Sequence, residues 1–310
     1  MITTITLNLA LDKTYFLSNF QKGKTNRIKQ VHEEPGGKGI NVAKVLQALG
    51  YEVKVSGFSG GFNGLKVQKL LNERSIPHRF IQIEDESREC LNIMADGNGQ
   101  ETELLEQGPT VHQAKWGELC QLVHQLASQS EFVVLSGSLP KGVPINAYGQ
   151  LIKIIDHAKA KAILDTSGEP FQAALSEKPF LIKPNEPELM NWLGKEKLSR
   201  QEMIRAAEKL LDLGIPHVCL SLGANGALYI GEEGQYSLTP PLLEVKNTVG
   251  SGDAMVAGLT AGFLSNLSIE QTLKLGVACG MSNALHLYAG CIKTSDIKSF
   301  QAEIKIEKLS

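Results

Sequence analysis

The feature that most constrains the fold of this chain is an alternation of short apolar segments with longer segments of helical spacing. Strand-like segments lie at residues 5–7, 52–58, 132–135, 162–165, 180–183 and 218–221. Apolar residues recur at helical spacing between them, at residues 41–49, 65–72, 112–127, 145–158, 186–193 and 200–213. This alternation predicts an α/β protein with three layers, in which helices cover both faces of a mainly parallel sheet.

Two stretches interrupt the alternation, at residues 12–34 and 85–107. Both are polar and poor in helix-forming residues. The second contains strand-like segments at 88–94 and 101–104, joined by a run of turn-forming residues at 96–99. We expect both stretches to leave the core and to pair into a small separate sheet, although ordinary surface hairpins would produce the same pattern.

The predicted division of the chain has a core made from residues 1–11, 35–84 and 108–310, with the two polar stretches forming a β-lid. A small sheet needs cover for its edge strands and for any apolar face that it exposes. A homodimer formed through the lid would supply that cover.

Composition argues against several classes of function. The formal net charge is −2 over 310 residues, so no basic field is available for nucleic acid or an anionic membrane. The chain opens on a strand-like segment, and no apolar run has the length of a membrane span. The five cysteines form no Cys-x-x-Cys pair, which argues against disulfides and zinc. We therefore expect a cytoplasmic protein.

The most informative motif is a turn of small residues that leads directly into a helix-forming segment. Gly250, Ser251 and Gly252 form the turn, and Asp253 closes it. The first amide groups of a helix lack partners inside the helix and attract anions. A carboxylate beside them could act as a general base next to an anion-binding site, although a plain helix cap would fit the same residues.

A second glycine cluster also runs into a helix-forming segment. It lacks the Ser or Thr of a Walker phosphate loop, and Val42 occupies the third glycine position of the dinucleotide fingerprint. Gly36 and Gly37 would let a ligand approach the backbone closely, and Asn41 could hydrogen-bond two sugar hydroxyls. Lys38 could meet a phosphate as a point charge. A simple helix-entry turn is the alternative.

Polar residues follow three of the predicted strands, where ligands bind in open α/β sheets. Asp12 follows the first strand and could hold sugar hydroxyls, or be a solvated loop residue. Asn185 and Glu188 lie three apart at a helix start, which suits a water-mediated Mg²⁺ site, a capping box, or both. The third group, which could admit a nucleotide triphosphate or form a plain turn, consists of Ser221, Gly223 and Gly226.

The order of these motifs resembles that of the ribokinase-like carbohydrate kinases, in their phosphofructokinase-B branch. The pattern comprises Gly-Gly-Lys-Gly-x-Asn from residue 36, Lys-Pro-Asn-x-x-Glu from 183, Ser-Leu-Gly-x-x-Gly from 221 and Val-Gly-Ser-Gly-Asp from 249. The resemblance runs from the first strand to the last helices. It implies a ribokinase-like fold in which a small β-lid lies over the sugar site.

The resemblance also implies a role for each site residue. Asp253 would be the catalytic base, and the turn before it would form the anion hole. The residues expected at the sugar and at the phosphate that it already carries are Asp12, Arg27, Gly36, Gly37, Lys38, Asn41, Arg88 and Ser138. Those expected at ATP are Lys183, Asn185, Ser221, Gly223, Gly226 and Asn283, with Glu188 ordering Mg²⁺ through water.

The expected reaction transfers a phosphoryl group from ATP to a ketohexose monophosphate, which gives ADP and the bisphosphate. Two sister activities fit this description. Phosphorylation of tagatose 6-phosphate is favoured by the segments 103–109 and 163–168, and phosphorylation of fructose 1-phosphate is the alternative. An inactive nucleotide-binding regulator is a more distant alternative, against which the intact Asp253 and Asn41 argue.

Overall fold

The computed structural model describes residues 1–95 and 101–309, so the turn predicted at 96–99 lies outside the described residues. The strands of the described chain are β1 (Ile2–Thr6), β2 (Ala10–Leu17), β3 (Gln30–Gly36), β4 (Val53–Gly60), β5 (His78–Ile83), β6 (Arg88–Ala95), β7 (Glu101–Leu105), β8 (Phe132–Ser136), β9 (Lys161–Asp165), β10 (Leu181–Ile182), β11 (His217–Ser221), β12 (Ala227–Gly231), β13 (Gly234–Thr239) and β14 (Lys305–Leu309).

Helices lie between most of these strands, as the sequence pattern predicts. They are α1 (Lys38–Ala48), α2 (Gly61–Glu73), α3 (Gln113–Ala127), α4 (Ala147–His157), α5 (Gly168–Ala174), α6 (Glu186–Leu193), α7 (Arg200–Asp212), α8 (Ser251–Leu264), α9 (Ile269–Ala284) and α10 (Thr294–Glu303). None of the helices in the described ranges has the length and apolar character needed to cross a membrane.

The large sheet has ten strands in the order β14-β13-β12-β11-β10-β9-β8-β1-β4-β5. The seven strands from β11 to β5 are parallel to one another. The other three strands, β12, β13 and β14, continue the sheet beyond β11, and each is antiparallel to its neighbour. The prediction of a mainly parallel sheet is therefore confirmed.

Helices cover both faces of this sheet because its central strands are apolar on both faces. On β8, Phe132 and Val134 join one hydrophobic core, whereas Val133 and Leu135 join the other. Successive side chains of a strand point to opposite faces, so this split places one core on each side of the sheet. Residues of α1, α8 and α9 complete the first core, and residues of α3, α4 and α7 complete the second. The three-layer architecture is confirmed.

The small sheet has the order β3-β2-β6-β7, with β2 and β6 parallel and the outer pairs antiparallel. The last two strands in this order fall inside the predicted stretch 85–107, and the first two extend slightly beyond 12–34. A small sheet separate from the core sheet is thus present. The division into a core and a lid that moves upon it stays a prediction.

Candidate active site

A cleft of about 940 Å³ lies at the carboxyl ends of the parallel strands and extends to the small sheet. This volume is at the upper end of the range for small-molecule sites, roughly 300–1,000 Å³. Most of the residues expected from the sequence line its wall. They are Asp12, Gly37, Lys38, Asn41, Arg88, Ser138, Lys183, Asn185, Ser221, Gly223, Gly226, Gly250, Ser251, Gly252 and Asp253.

The turn before α8 presents helix amide groups to the cleft. Gly250 is the N-cap and has a φ of 79°, in the left-handed region that favours glycine. No side chain caps the helix, so the amides of Gly252 and Asp253 are available to an anion, whereas the Ser251 amide donates to the Thr248 carbonyl oxygen at 3.1 Å. Asp253 lies three residues beyond the N-cap, inside the first turn. The alternative in which Asp253 only caps the helix is therefore wrong.

The Asp253 carboxylate is buried and has one direct hydrogen-bond donor from α1. Its residue is 5% exposed, and its Oδ2 accepts a hydrogen bond from Nδ2 of Asn41 at 2.9 Å. Burial raises the pKa of Asp253 to about 6, although Lys38 and the Asn41 hydrogen bond favour the charged form. A carboxyl group with such a pKa is mostly ionised at neutral pH and still basic enough to accept a proton.

Helix α1 brings Lys38 and Asn41 to the same wall. The helix begins at Lys38, three residues earlier than the sequence pattern predicts, because Gly37 adopts a φ of 104° and acts as its N-cap. Residues three apart in a helix share a face, so both side chains point into the cleft. Gly37 therefore starts the helix, whereas Gly36 ends β3.

Two lysines converge on Asp165, a residue for which sequence analysis assigns no role. Nζ of Lys38 lies 3.3 Å from one carboxylate oxygen, and Nζ of Lys183 lies 3.4 Å from the other. Burial opposes ionisation of Asp165, but the two ammonium groups hold its pKa below the usual value. The sequence does contain one indication of a role for Asp165. This carboxylate lies at the end of an apolar strand, and the position of Asp12 after a strand is likewise the reason for its selection.

The small sheet contributes a second carboxyl group to the cleft, that of Asp12, which lies within β2 and is half-buried. Burial raises the pKa of Asp12 to about 7, while Lys44 and Arg88 favour its charged form. A Cβ at Gly36 would overlap the Asp12 carboxyl group, so this glycine makes room for it without lining the cleft. Arg88 donates from Nη1 to the carbonyl oxygen of Glu106 at 3.1 Å, which fixes its guanidinium at the cleft.

Ser138 reaches the cleft from the loop after β8. Its Oγ accepts a hydrogen bond from Nδ2 of Asn8 at 3.0 Å, and the same amide donates to the Gln107 carbonyl oxygen. Arg27, which sequence analysis groups with Ser138, is exposed in the segment between β2 and β3 and does not line the cleft. The structure therefore does not bring Arg27 to the phosphate group of a sugar bound in this cleft.

Asn283 has a different position from the one expected. It is fully buried in α9 and does not line the cleft. Its Nδ2 donates to the carbonyl oxygen of Val249 at 2.9 Å and lies 3.3 Å from Oγ of Ser251, and its Oδ1 accepts from the Gly290 amide at 2.8 Å. Its polar atoms are thus occupied in bracing the turn before α8. The expected contact with adenine is corrected to a structural role.

Comparison with known proteins identifies the family. The profile of the pfkB family of carbohydrate kinases matches residues 5–294. The tagatose-6-phosphate kinase of Staphylococcus epidermidis (strain ATCC 12228 / FDA PCI 1200) is 34% identical over 309 residues, covering 99% of each chain. The chain belongs to the pfkB family of carbohydrate kinases. A kinase of this family is a phosphotransferase with an alcohol group as acceptor, and it uses ATP with a divalent metal ion.

Solved structures similar to this pfkB kinase include phosphofructokinase-2 from Escherichia coli. Its complex with fructose-6-phosphate has a TM-score of 0.90 and 29% identity, covering 97% of this chain and 98% of that chain. Its tetrameric inhibited form has a TM-score of 0.91 at the same identity and coverage. The ribokinase-like fold expected from the sequence is confirmed.

The residues expected at the metal ion lie at the start of α6. Within residues 1–95 and 101–309, no group of three His, Cys, Asp or Glu residues could hold a metal ion. Asn185 and Glu188 form a capping box for α6, with reciprocal hydrogen bonds of 2.8 and 2.9 Å. Glu188 also acts on Lys38, whose pKa is raised by Asp165 above all and by Asp253 and Glu188. Asn185 lines the cleft and Glu188 does not, so the water-mediated role of Glu188 at Mg²⁺ stays a prediction.

Proposed function

We propose that this pfkB kinase phosphorylates tagatose 6-phosphate at its free primary hydroxyl, giving tagatose 1,6-bisphosphate and ADP. The observation that carries this proposal is the placement of a buried carboxylate, Asp253, in the first turn of α8 beside uncapped helix amides. Across the same cleft, the Asp12 carboxylate can accept hydrogen bonds from sugar hydroxyls, and the Arg88 guanidinium offers a cation for the phosphate of the sugar. The relative from S. epidermidis carries the name of this activity.

The chemical step begins with proton removal by Asp253. Its carboxylate takes the proton of the primary hydroxyl while that oxygen attacks the γ-phosphorus of ATP, and the bond from phosphorus to the bridging oxygen breaks to release ADP. The proton then passes from Asp253 to solvent. A positioned base contributes roughly 10²–10⁴-fold to the rate of such a step.

The transferred phosphoryl group needs positive charge around its equatorial oxygens. The amides of Gly252 and Asp253 provide donors in the first turn of α8, and Lys183 lies against this turn. Asp165 holds the ammonium groups of Lys183 and Lys38 on neighbouring sides of the cleft. We assign Lys38 to the negative charge near the reacting phosphoryl group, which departs from the expectation that it binds the phosphate already carried by the sugar.

ATP would occupy the part of the cleft nearer to β11. Ser221, Gly223 and Gly226 form its wall there, together with apolar side chains that suit a purine base. The apolar members of this wall include Leu243, Val245, Val277 and Met281. Bound Mg²⁺ would neutralise charge on the phosphates, and Glu188 and Asn185 at the start of α6 would order its waters.

The test of this function is a comparison of sugar phosphates under one condition. We expect kcat/KM to be highest for tagatose 6-phosphate, lower for fructose 1-phosphate and lower again for fructose 6-phosphate, with ADP release as the measurement. A preference for fructose 1-phosphate would transfer the assignment to 1-phosphofructokinase. If no sugar phosphate stimulates ADP release, the chain is a nucleotide-binding regulator and the proposal is wrong.

We also propose a homodimer through the small sheet. Apolar side chains at its two edges are about half exposed, namely those of Val31 on β3 and of Leu104 and Leu105 on β7. Edge strands with exposed apolar side chains need cover, which a second copy of the chain would give. The tetrameric form of E. coli phosphofructokinase-2 is one example of self-association by a similar chain.

A further inference from the structure

Lys44 is a buried lysine that no step above uses. Its side chain is only 7% exposed, and a buried ammonium group is costly unless it is paired. Its Nζ lies 3.5 Å from Oε2 of Glu34 on β3 and 3.4 Å from Oδ1 of Asn41, three residues earlier on α1. It therefore connects the small sheet to the residue that contacts Asp253.

The carboxamide of Asn41 lies between two charges of opposite sign. Its oxygen faces the ammonium group of Lys44, and its Nδ2 donates to Oδ2 of Asp253. A flipped carboxamide would turn its oxygen toward the carboxylate and its NH₂ group toward the ammonium, which is unfavourable at both ends. Lys44 therefore selects the orientation in which Asn41 donates to Asp253.

Lys44 is itself held from two sides. Oε1 of Glu34 accepts a hydrogen bond from Nη2 of Arg74 at 2.6 Å and lies 2.8 Å from Nε2 of His32, so that carboxylate is fixed. On the other side, a Cβ at Gly290 would lie 2.7 Å from Cε of Lys44. The backbone after α9 thus packs directly on the lysine stem, and the ammonium position is well defined.

We propose that Lys44 is a positioning residue for phosphoryl transfer, because it fixes the Asn41 carboxamide as a hydrogen-bond donor to the base Asp253. This inference rests on the proposed function, in which Asp253 accepts the proton. Lys44 acts through Asn41 and not on the reacting atoms. Because a hydrogen bond donated to a carboxylate favours its charged form, Lys44 helps to keep the base ionised.

Other charges also act on the two carboxyl groups of the cleft. Those that face Asp253 are Lys38, Asp165, Lys183 and, from the small sheet, Asp12. Those that face Asp12 are Lys44, Arg88, Asp253 and Glu103. Loss of the Lys44 charge would therefore also weaken ionisation of Asp12 and raise the KM for the sugar phosphate, so the test separates the two effects.

The first experiment replaces the ammonium group and keeps the stem. In Lys44→Met we expect kcat at saturating substrates to fall by about tenfold or more, because the base loses its oriented donor. We also expect the acid limb of the kcat–pH profile to move to higher pH. Lys44→Arg, which keeps the charge, should recover most of the lost kcat. A fall in kcat that is uniform across pH would indicate a merely structural role and would overturn the proposal.

A double-mutant cycle tests whether Lys44 acts through Asn41. In an Asn41→Ala background, Lys44→Met should change neither kcat nor the acid limb further, since the carboxamide is already absent. Equal effects in both backgrounds would overturn the inference. Should Lys44→Met fail to fold, Lys44→Met combined with Glu34→Gln leaves no unpaired carboxylate at this position and serves in its place.

A measurement without turnover separates this inference from the proposed function. Carboxyl ¹³C NMR, with the Asp253 signal assigned by its loss in Asp253→Asn, reports the pKa of Asp253 directly. We expect a higher pKa in the Lys44 variant than in the unaltered protein, and equal values would overturn the inference. This result holds even if no sugar phosphate stimulates ADP release, an outcome that would overturn the proposed function alone.

Discussion

At the scale of single residues, Asp253 combines burial with a charge. Burial and the charge of Asp165 raise the pKa of Asp253, whereas Lys38 and the hydrogen bond from Asn41 lower it. The balance leaves a base whose pKa of about 6 lies close to physiological pH. Proton transfer is most efficient when the pKa of the base is near the working pH.

Replacement of the carboxylate by a carboxamide removes the base and preserves its shape. We predict that Asp253→Asn lowers kcat by more than about 10²-fold, with ATP affinity and the unfolding midpoint close to those of the unaltered protein. Steady-state ADP release and nucleotide titration measure the two quantities. Asp156→Asn on the exposed side of α4 is the matched control and should leave kcat unchanged. Near-normal turnover in Asp253→Asn would show that another group is the base.

The pH dependence should report two carboxyl groups. Both must be ionised, Asp253 to accept a proton and Asp12 to accept sugar hydroxyls, and burial raises their pKa values to about 6 and about 7. We predict that kcat/KM for the sugar phosphate falls as pH drops below about 7, with two apparent ionisations that belong to the coupled pair. Asp12→Asn should leave one of them. If both persist in that variant, Asp12 is not one of the titrating groups.

Sequence motifs predict the site residues that are local in the chain, and packing reveals the others. Lys38, Asn41 and Asp253 are predictable because each lies in the first turn of a helix that follows a glycine-rich segment. Lys44 is not, because it looks like an ordinary member of a helix. The position of Asp165 at the end of a strand is only a weak indication of its role. Their partners, Lys38 for Asp165 and Glu34 for Lys44, come together only in the folded chain.

At the scale of secondary-structure elements, the start of α6 combines a cap with the predicted metal role. We predict that Glu188→Gln keeps the capping box, because its amide oxygen still accepts from the Asn185 amide, and so leaves the unfolding midpoint nearly unchanged. The Mg²⁺ concentration for half-maximal activity should rise, because the carboxylate charge is lost. Activity titrated with MgCl₂ at fixed ATP measures this effect.

The chain contains its own control for this experiment. Ser199 and Glu202 form the same capping box at the start of α7, but neither lines the cleft, whereas the α6 box borders it through Asn185. Glu202→Gln should therefore leave the Mg²⁺ dependence of activity as it is. An equal shift in both variants would remove the metal role from Glu188.

The contact between α8 and α9 positions the turn that precedes α8. A Cβ at Gly258 would lie 2.7 Å from the Leu275 carbonyl oxygen and 2.8 Å from Cα of Gly276, so the two backbones approach as closely as glycine allows. We predict that Gly258→Ala destabilises the fold by about 1–3 kcal/mol and lowers kcat, because α8 must move. Gly117→Ala on α3 meets nothing within 4 Å and should instead stabilise by about 0.4–1 kcal/mol. Denaturant unfolding measures both.

Element types in the core are predictable because the strands are short and apolar and the helices are amphipathic. The start of α1 is not, because the φ of Gly37 that sets it depends on the close approach of Thr6, where a Cβ would lie 2.6 Å from the threonine Cγ2. The parallel pairing of β2 with β6 is likewise invisible in local sequence, since the two strands are far apart in the chain.

At the scale of the whole molecule, the proposed dimer gives a direct test. We predict a dimer by light scattering and its conversion to a monomer in Leu104→Glu, because a charge at an apolar contact must be desolvated. Ile145→Glu is the matched control, because Ile145 is 50% exposed and Leu104 is 51% exposed. Ile145 lies just before α4, outside the small sheet. The Ile145→Glu variant should remain dimeric. A monomeric unaltered protein would refute the lid dimer.

The position of β1 in the large sheet has a consequence for biosynthesis. This strand is made before both of its partners, because it pairs on one side with β4 and on the other with β8, where Ile2 faces Phe132. The ribosome needs on the order of ten seconds to synthesise the chain from β1 to β8. During that time the edge of β1 that will pair with β8 has no partner strand. Slow translation or a scarcity of holding chaperones over this interval should lower the yield of native enzyme, whereas refolding of the finished chain has no such waiting period.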